Sequence, residues 1–248
     1  MTGLPRLILI CVLATNSVAC SAAIESHGCH EEIRKAVYRI SLVDQSSPKY
    51  ASIAESLSSH IQNCPILPKG IEMPGGEFIS RLQLYVLAGL DEDLPDDLGY
   101  IDALDHDQVE TLIAQAAYHS NVKTFKDVVQ AISSSRWASI LGPSSFYGII
   151  GSVRQPKEKI CFLQDLGLSP FEPIENQVSI LDSAVVMNDI LSLEVLVSLL
   201  DPIDASSTEL VSRAKELARQ QASPTRTVLD QWRTIAETDV CATYQLPQ

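Results

Sequence analysis

Apolar side chains along this 248-residue chain recur at helical spacing far more often than they alternate. Ile33, Ala36, Val37 and Ile40 fall at i, i+3, i+4 and i+7, and so do Val109, Leu112, Ile113 and Ala116. Phe146, Ile149, Ile150 and Val153 repeat the spacing, and Val228, Leu229, Trp232, Ile235 and Ala236 form a further stripe. Residues set about 100° apart put such a group on one face of an α-helix, the face that packs on a core. Alternation over four or more residues, the mark of a half-buried strand, is hard to find. The pattern predicts an all-α protein.

Polar positions mark where helices begin. Ser47-Pro48 and Ser223-Pro224 each place a hydroxyl before a proline in the first turn, and Asp107-x-x-Glu110 and Ser206-x-x-Glu209 have capping-box spacing. Helices are predicted over about 31–43 and 49–63 around the turn Gln45-Ser-Ser-Pro48, and over 76–90 with Phe78, Leu82, Tyr85 and Val86 on one face. Pro65-Ile-Leu-Pro68 and Pro74-Gly-Gly76 break the helical pattern in between, and Leu90 to Gly99 reads as an acidic linker.

From about residue 107 the helices come in pairs. The first stripe of each pair begins near Val109, Phe146, Ile180 and Leu210, at intervals of 37, 34 and 30 residues. Short paired helices at such a period bury their apolar faces only against neighbouring pairs. Ile160 to Pro173 is an apolar helix running into Leu166-Gly-Leu-Ser-Pro170, with Gly167 where a helix end wants φ > 0. Ser179-Ile-Leu-Asp-x-Ala184 opens a second stretch that closes on Leu193-Glu-Val-Leu-Val-Ser-Leu-Leu200.

These stretches resemble ankyrin repeats: the first the end of a repeat, the second a whole one. No copy carries the family's Thr-Pro-Leu-His tetrapeptide. The resemblance covers roughly 107–238 and implies an αα-hairpin solenoid whose surface holds another protein. Another αα array or an irregular helical bundle would keep the same helix pairs. The expected organisation is a leader (1–23), an N-terminal helical capping region with a disulfide (24–100), and an ankyrin-like array (107–240).

The leader reading rests on Arg6, the apolar run Leu7 to Ala14, and small residues from Ala19 to Ala23. Eight apolar residues are too few to span about 30 Å of hydrocarbon, which leaves an export signal. Ser17-Val-Ala-Cys20 resembles a lipobox with Cys20 as the acylated residue, although Ser17 stands where a bulky aliphatic is usual; Ser21-Ala22-Ala23 offers ordinary cleavage instead. The expected location is the periplasm, with an outer-membrane lipid anchor as the variant through Cys20.

Cleavage leaves Cys29, Cys64, Cys161 and Cys241, an even set that an oxidising compartment would pair. Cys29 and Cys64 lie 17 and 18 residues either side of residue 46 (46 − 29 and 64 − 46), hence at the same end of an antiparallel helix pair. Cys161 and Cys241 would then tie the tail to the array. His27, Cys29 and His30 are a rival metal set, but they lack the usual paired ligand spacing, so the expectation is no metal and no cofactor.

Charge narrows the partners. Losing Arg6 with the leader takes the formal charge from −13 to −14 (17 − 31), which repels nucleic acid and anionic lipid and attracts a basic protein. Asp91, Glu92, Asp93, Asp96, Asp97, Asp102, Asp105 and Asp107 crowd eight carboxylates into seventeen residues. They lack the glycine turn and terminal Glu of a calcium loop, and a solvated linker or a docking surface for a basic partner accounts for them. Trp137, after Ser133-Ser-Ser-Arg136, falls in a predicted loop, where an aromatic serves an interface centre or folds under as core.

Catalytic constellations are absent from the sequence. The five histidines, at 27, 30, 60, 106 and 119, have no metalloprotease spacing, and no nucleophile elbow or phosphate loop occurs. Ser46-Ser-Pro-Lys49 matches a Ser-x-x-Lys pair by residue type alone. The expectation is an exported, non-enzymatic protein-binding module, most specifically an immunity protein that binds and occludes a toxin delivered to the periplasm. The alternative is an envelope scaffold or chaperone-like factor.

Overall fold

A computed structural model describes residues 17–43, 47–64, 70–90, 95–172, 178–238 and 240–244. Most of the expected leader lies outside the described residues, and of Cys20 only the helical backbone is described. The chain is mostly helical and divides into two compact units, residues 1–90 and 91–248.

In the first unit α1 (Ser17–Ser41) packs beside α2 (Pro48–Gln62). The expected stripe makes the contact: Ile33, Val37 and Ile40 bury against Tyr50, Ala54, Leu57 and Ile61. Ser47 caps α2 by accepting the Lys49 N–H at 3.3 Å, with Pro48 in the first turn.

The expected helix over 76–90 begins five residues late. Strand β1 (Gly70–Glu72) pairs antiparallel with β2 (Phe78–Ser80), Ile71 opposite Ile79, and both isoleucines join the core. The connection turns through Gly75 and Gly76 at φ +138° and +87°, and the Met73 N–H closes it on the Glu77 carbonyl at 2.7 Å. Helix α3 (Arg81–Ala88) starts where Ser80 Oγ accepts the Gln83 N–H (3.2 Å) and Gln83 Oε1 accepts the Ser80 N–H (2.7 Å). This reciprocal cap fixes the start after Phe78, so Phe78 is a half-exposed strand residue.

The second unit opens with a 3-10 segment, Pro95–Ala103, in place of the expected free linker. It packs on the helix Val122–Ser133, and Ile101 and Leu104 are buried. Four helical pairs follow. They are α4 (His106–His119) with α5 (Val122–Ser133), α6 (Ser144–Tyr147) with α7 (Pro156–Asp165), α8 (Ile180–Val186) with α9 (Ile190–Ser198), and α10 (Ala205–Gln220) with the broken helix α11 (Arg226–Asp230) and α12 (Trp232–Ala236). First helices touch in the order α4, α6, α8, α10, and second helices in the order α5, α7, α9, then α11 and α12.

The turn inside each pair is tied to the next. Val122 N–H donates to Gln155 Oε1 (3.1 Å), Gly151 N–H to Asp189 Oδ2 (2.8 Å), and Ser223 Oγ to Asn188 Oδ1 (2.6 Å). Three non-glycine residues with positive φ sit in these turns: Gln155, Asn188 and Ala222, at 51°, 53° and 51°. They are 33 and 34 residues apart (188 − 155 and 222 − 188), a tighter period than the apolar stripes give. Gly167 ends α7 at φ +79°, with Leu168 N–H on the Leu163 carbonyl at 3.2 Å, the closure expected of a left-handed helix end.

Two caps differ from expectation. Asp105, rather than Asp107, caps α4 by accepting the Gln108 N–H at 2.9 Å while Gln108 Oε1 accepts the Asp105 N–H at 3.0 Å. Asp204, rather than Ser206, caps α10 through the Ser207 N–H at 3.1 Å. Val153 leaves its stripe because α6 stops at Tyr147 and the chain bends through Gly151 at φ +84°; its side chain is 55% exposed.

Among the described residues each unit holds one disulfide: Cys29–Cys64 in the first, and Cys161–Cys241 in the second, where the 3-10 turn Cys241–Tyr244 packs on α7. Such bonds persist in oxidising compartments and point to one here. Among the described residues no helix is long and apolar enough to cross a membrane.

Candidate functional site

The acidic segment and the loop tryptophan meet in the second unit. Arg136 makes the junction: its Nη2 donates to the backbone carbonyls of Asp102 (2.8 Å) and Leu104 (3.3 Å), and its guanidinium lies 4.4 Å from the centre of the Trp137 ring. On the ring's other contact, His106 stands edge-on at 6.0 Å, and its Nε2 is 3.6 Å from Glu110 Oε1. Trp137 is half-buried, and its Nε1 is buried without a hydrogen-bond partner, which costs about 1–3 kcal/mol. A stacked guanidinium returns part of that, about 0.5–1 kcal/mol at an exposed site.

The predicted partner-binding residues therefore fare differently. Asp102 and Asp107 are exposed beside this junction, and Asp105 is exposed but committed to the α4 cap. Asp96 and Asp97 belong to the 3-10 segment, with only their backbone described; Asp91, Glu92 and Asp93 lie outside the described residues. The result is a corner where carboxylates flank an Arg–Trp–His stack. It has the charge to attract a cationic surface and a rigid aromatic for it to meet.

A second surface carries no signal that the sequence made plain. Val186, Met187, Ile190 and Leu191 are 52%, 49%, 37% and 47% exposed around the turn from α8 to α9. The Met187 methyl lies against Gly151 of the preceding turn, so closely that a Cβ there would come within 2.9 Å of it. Val153 stands exposed two residues on. Apolar side chains at adjoining turns that are themselves stitched together make a fixed, water-facing apolar patch of the kind that marks interaction sites.

Two strongly perturbed titratable groups lie between α4 and α7. Lys159 is fully buried, with Nζ donating to the Ala117 carbonyl at 2.6 Å and Ser152 Oγ at 3.4 Å; burial, then Arg154, pushes its pKa down to about 7. Burial, with Arg154 and Lys159 adding to it, lowers His119 to about 4. Ser152 Oγ donates to the Tyr118 carbonyl at 2.8 Å, so this hydroxyl joins the pairs together. A groove of about 760 Å³ along Phe171, Leu199, Asp201, Asp204, Glu209 and Arg213 contains neither group.

Comparison with family models, with curated proteins and with solved structures returns no match.

Proposed function

We propose that the second unit is an ankyrin-like αα array that holds a protein partner, and that the protein is an exported immunity factor occluding a toxin in the periplasm. The observation that carries this reading is the apolar patch Val186, Met187, Ile190 and Leu191 on turns stitched at a 33–34-residue period. A patch whose frame is already ordered loses little conformational entropy on binding. Carboxylates around the Arg136–Trp137–His106 stack support a basic partner, since clustered charge speeds encounter more than it tightens the final complex.

The test is co-expression with the protein encoded beside its gene, targeted to the periplasm. Rescue of growth and a one-to-one complex on size exclusion are expected. Met187→Asp with Leu191→Asp should weaken the complex at least tenfold, while Asp102→Asn with Asp107→Asn should slow association several-fold at low salt and much less at high salt. Weak binding to many envelope proteins without rescue would favour the scaffold reading instead.

A further inference from the structure

Cys29, His30 and Cys64 each bring one ligand atom within 4.8 Å of the other two, two Sγ atoms and an imidazole nitrogen. Among the described residues no other three His, Cys, Asp or Glu side chains gather so closely, and the Cys161–Cys241 pair has no such third member. Zinc sits about 2.3 Å from thiolate sulfur and about 2.0–2.1 Å from imidazole nitrogen, so tetrahedral ligand atoms stand roughly 3.4–3.8 Å apart. The two sulfurs are bonded to each other here, so on opening they need only part to about that spacing, with the His30 imidazole nitrogen already within 4.8 Å of both.

The backbone keeps them there. Cys29 and His30 are consecutive on α1, and Cys64 follows the end of α2. The two helices are held by Ile33, Val37, Leu57 and Ile61, whose contacts do not depend on the sulfurs. With Cα atoms 5.6 Å apart, the two thiols of an opened bond would stay neighbours.

We propose that Cys29, His30 and Cys64 form a redox-gated zinc site, independent of the partner-binding surface. With the disulfide closed, both sulfurs are bonded to each other and the site is shut. A dithiol reductant gives two electrons and two protons to the Cys29–Cys64 bond and becomes a disulfide itself. Zinc then binds both sulfurs and the His30 imidazole, displaces the two thiol protons to solvent and keeps its oxidation state, with water in the fourth position.

The experiment reduces the purified protein with a dithiol, desalts it without oxygen and titrates it with Co²⁺ and then Zn²⁺. One equivalent of Co²⁺ should bind with a thiolate charge-transfer band, and Zn²⁺ should bleach it, while the oxidised protein binds neither. Cys161→Ser with Cys241→Ser should leave the band intact, Cys29→Ser with Cys64→Ser should abolish it, and His30→Ala should weaken zinc at least tenfold. Circular dichroism on each reduced sample checks that the helices persist. No band in the reduced wild type, a band surviving loss of Cys29 and Cys64, or zinc affinity indifferent to His30 overturns the proposal.

Discussion

Lys159 places an ammonium group in a site with no solvent exposure, where its short hydrogen bond goes to the last turn of α4 at Ala117. The carbonyl end of a helix favours a cation, yet desolvation dominates and pushes the group down to about 7. Between that value and its ordinary 10.5 the unfolded chain keeps a proton that the folded chain has given up. More protons on the unfolded side mean that stability rises with pH across that window. Urea unfolding of the wild type should show this rise from about pH 7 to 10, and Lys159→Met should lack it. His119 acts with the same sign lower down. Its folded value of about 4 against 6.5 means that stability falls as the pH drops through 6.5 towards 4. His119→Gln should flatten that part of the curve. Neither role was legible in the sequence, because a lysine and a histidine among helical residues read as solvated face, whereas here burial sets both and Arg154 acts on each. Arg136 hides in the same way: it binds carbonyl oxygens of residues 102 and 104, so no acidic partner in the sequence announces it.

Helices were legible where one unbroken helix underlies the stripe, and stripe length did not decide it, since Phe146 to Val153 is as long as Ile33 to Ile40 and its helix stops at Tyr147. Ile33 to Ile40 and Val109 to Ala116 are buried as their spacing requires. Shorter elements were not: three-residue strands offer too little alternation to see, and Phe78 fits a helical stripe until Ser80 and Gln83 cap the chain two residues later. Caps misplaced by two residues have a similar cause. Asp105 and Asp107 can both accept N–H groups, and the choice falls to where Leu104 buries and the chain enters α4. The within-pair turns are the element that the sequence leaves least visible, since Gln155, Asn188 and Ala222 share a left-handed conformation but no residue type. An alanine held there is strained by about 1 kcal/mol, because its Cβ crowds the carbonyl oxygen. Ala222→Gly should therefore raise stability by about 0.5–1 kcal/mol in urea, whereas Asn188→Ala, which also removes the acceptor for Ser223 Oγ, should lower it by about 1–2 kcal/mol.

At the scale of the molecule, two compact units each carry their own buried core and their own disulfide. The bonds close loops of 35 and 80 residues, and because closure entropy grows only with the logarithm of length, each stabilises its fold by about 4 kcal/mol. The longer loop contains α8 to α12, so its closure holds the last two of the four stitched turns against fraying from the C-terminal end. Both tryptophans, Trp137 and Trp232, belong to the second unit, which makes their fluorescence a reporter of that unit alone. Cys161→Ser with Cys241→Ser should shift the tryptophan unfolding transition to lower urea by the equivalent of about 4 kcal/mol. Cys29→Ser with Cys64→Ser should leave that transition in place while circular dichroism records an earlier loss of helix from α1 and α2. A tryptophan transition that moved equally with either pair would mean that the units unfold as one cooperative block, and that the second unit depends on the first for its stability.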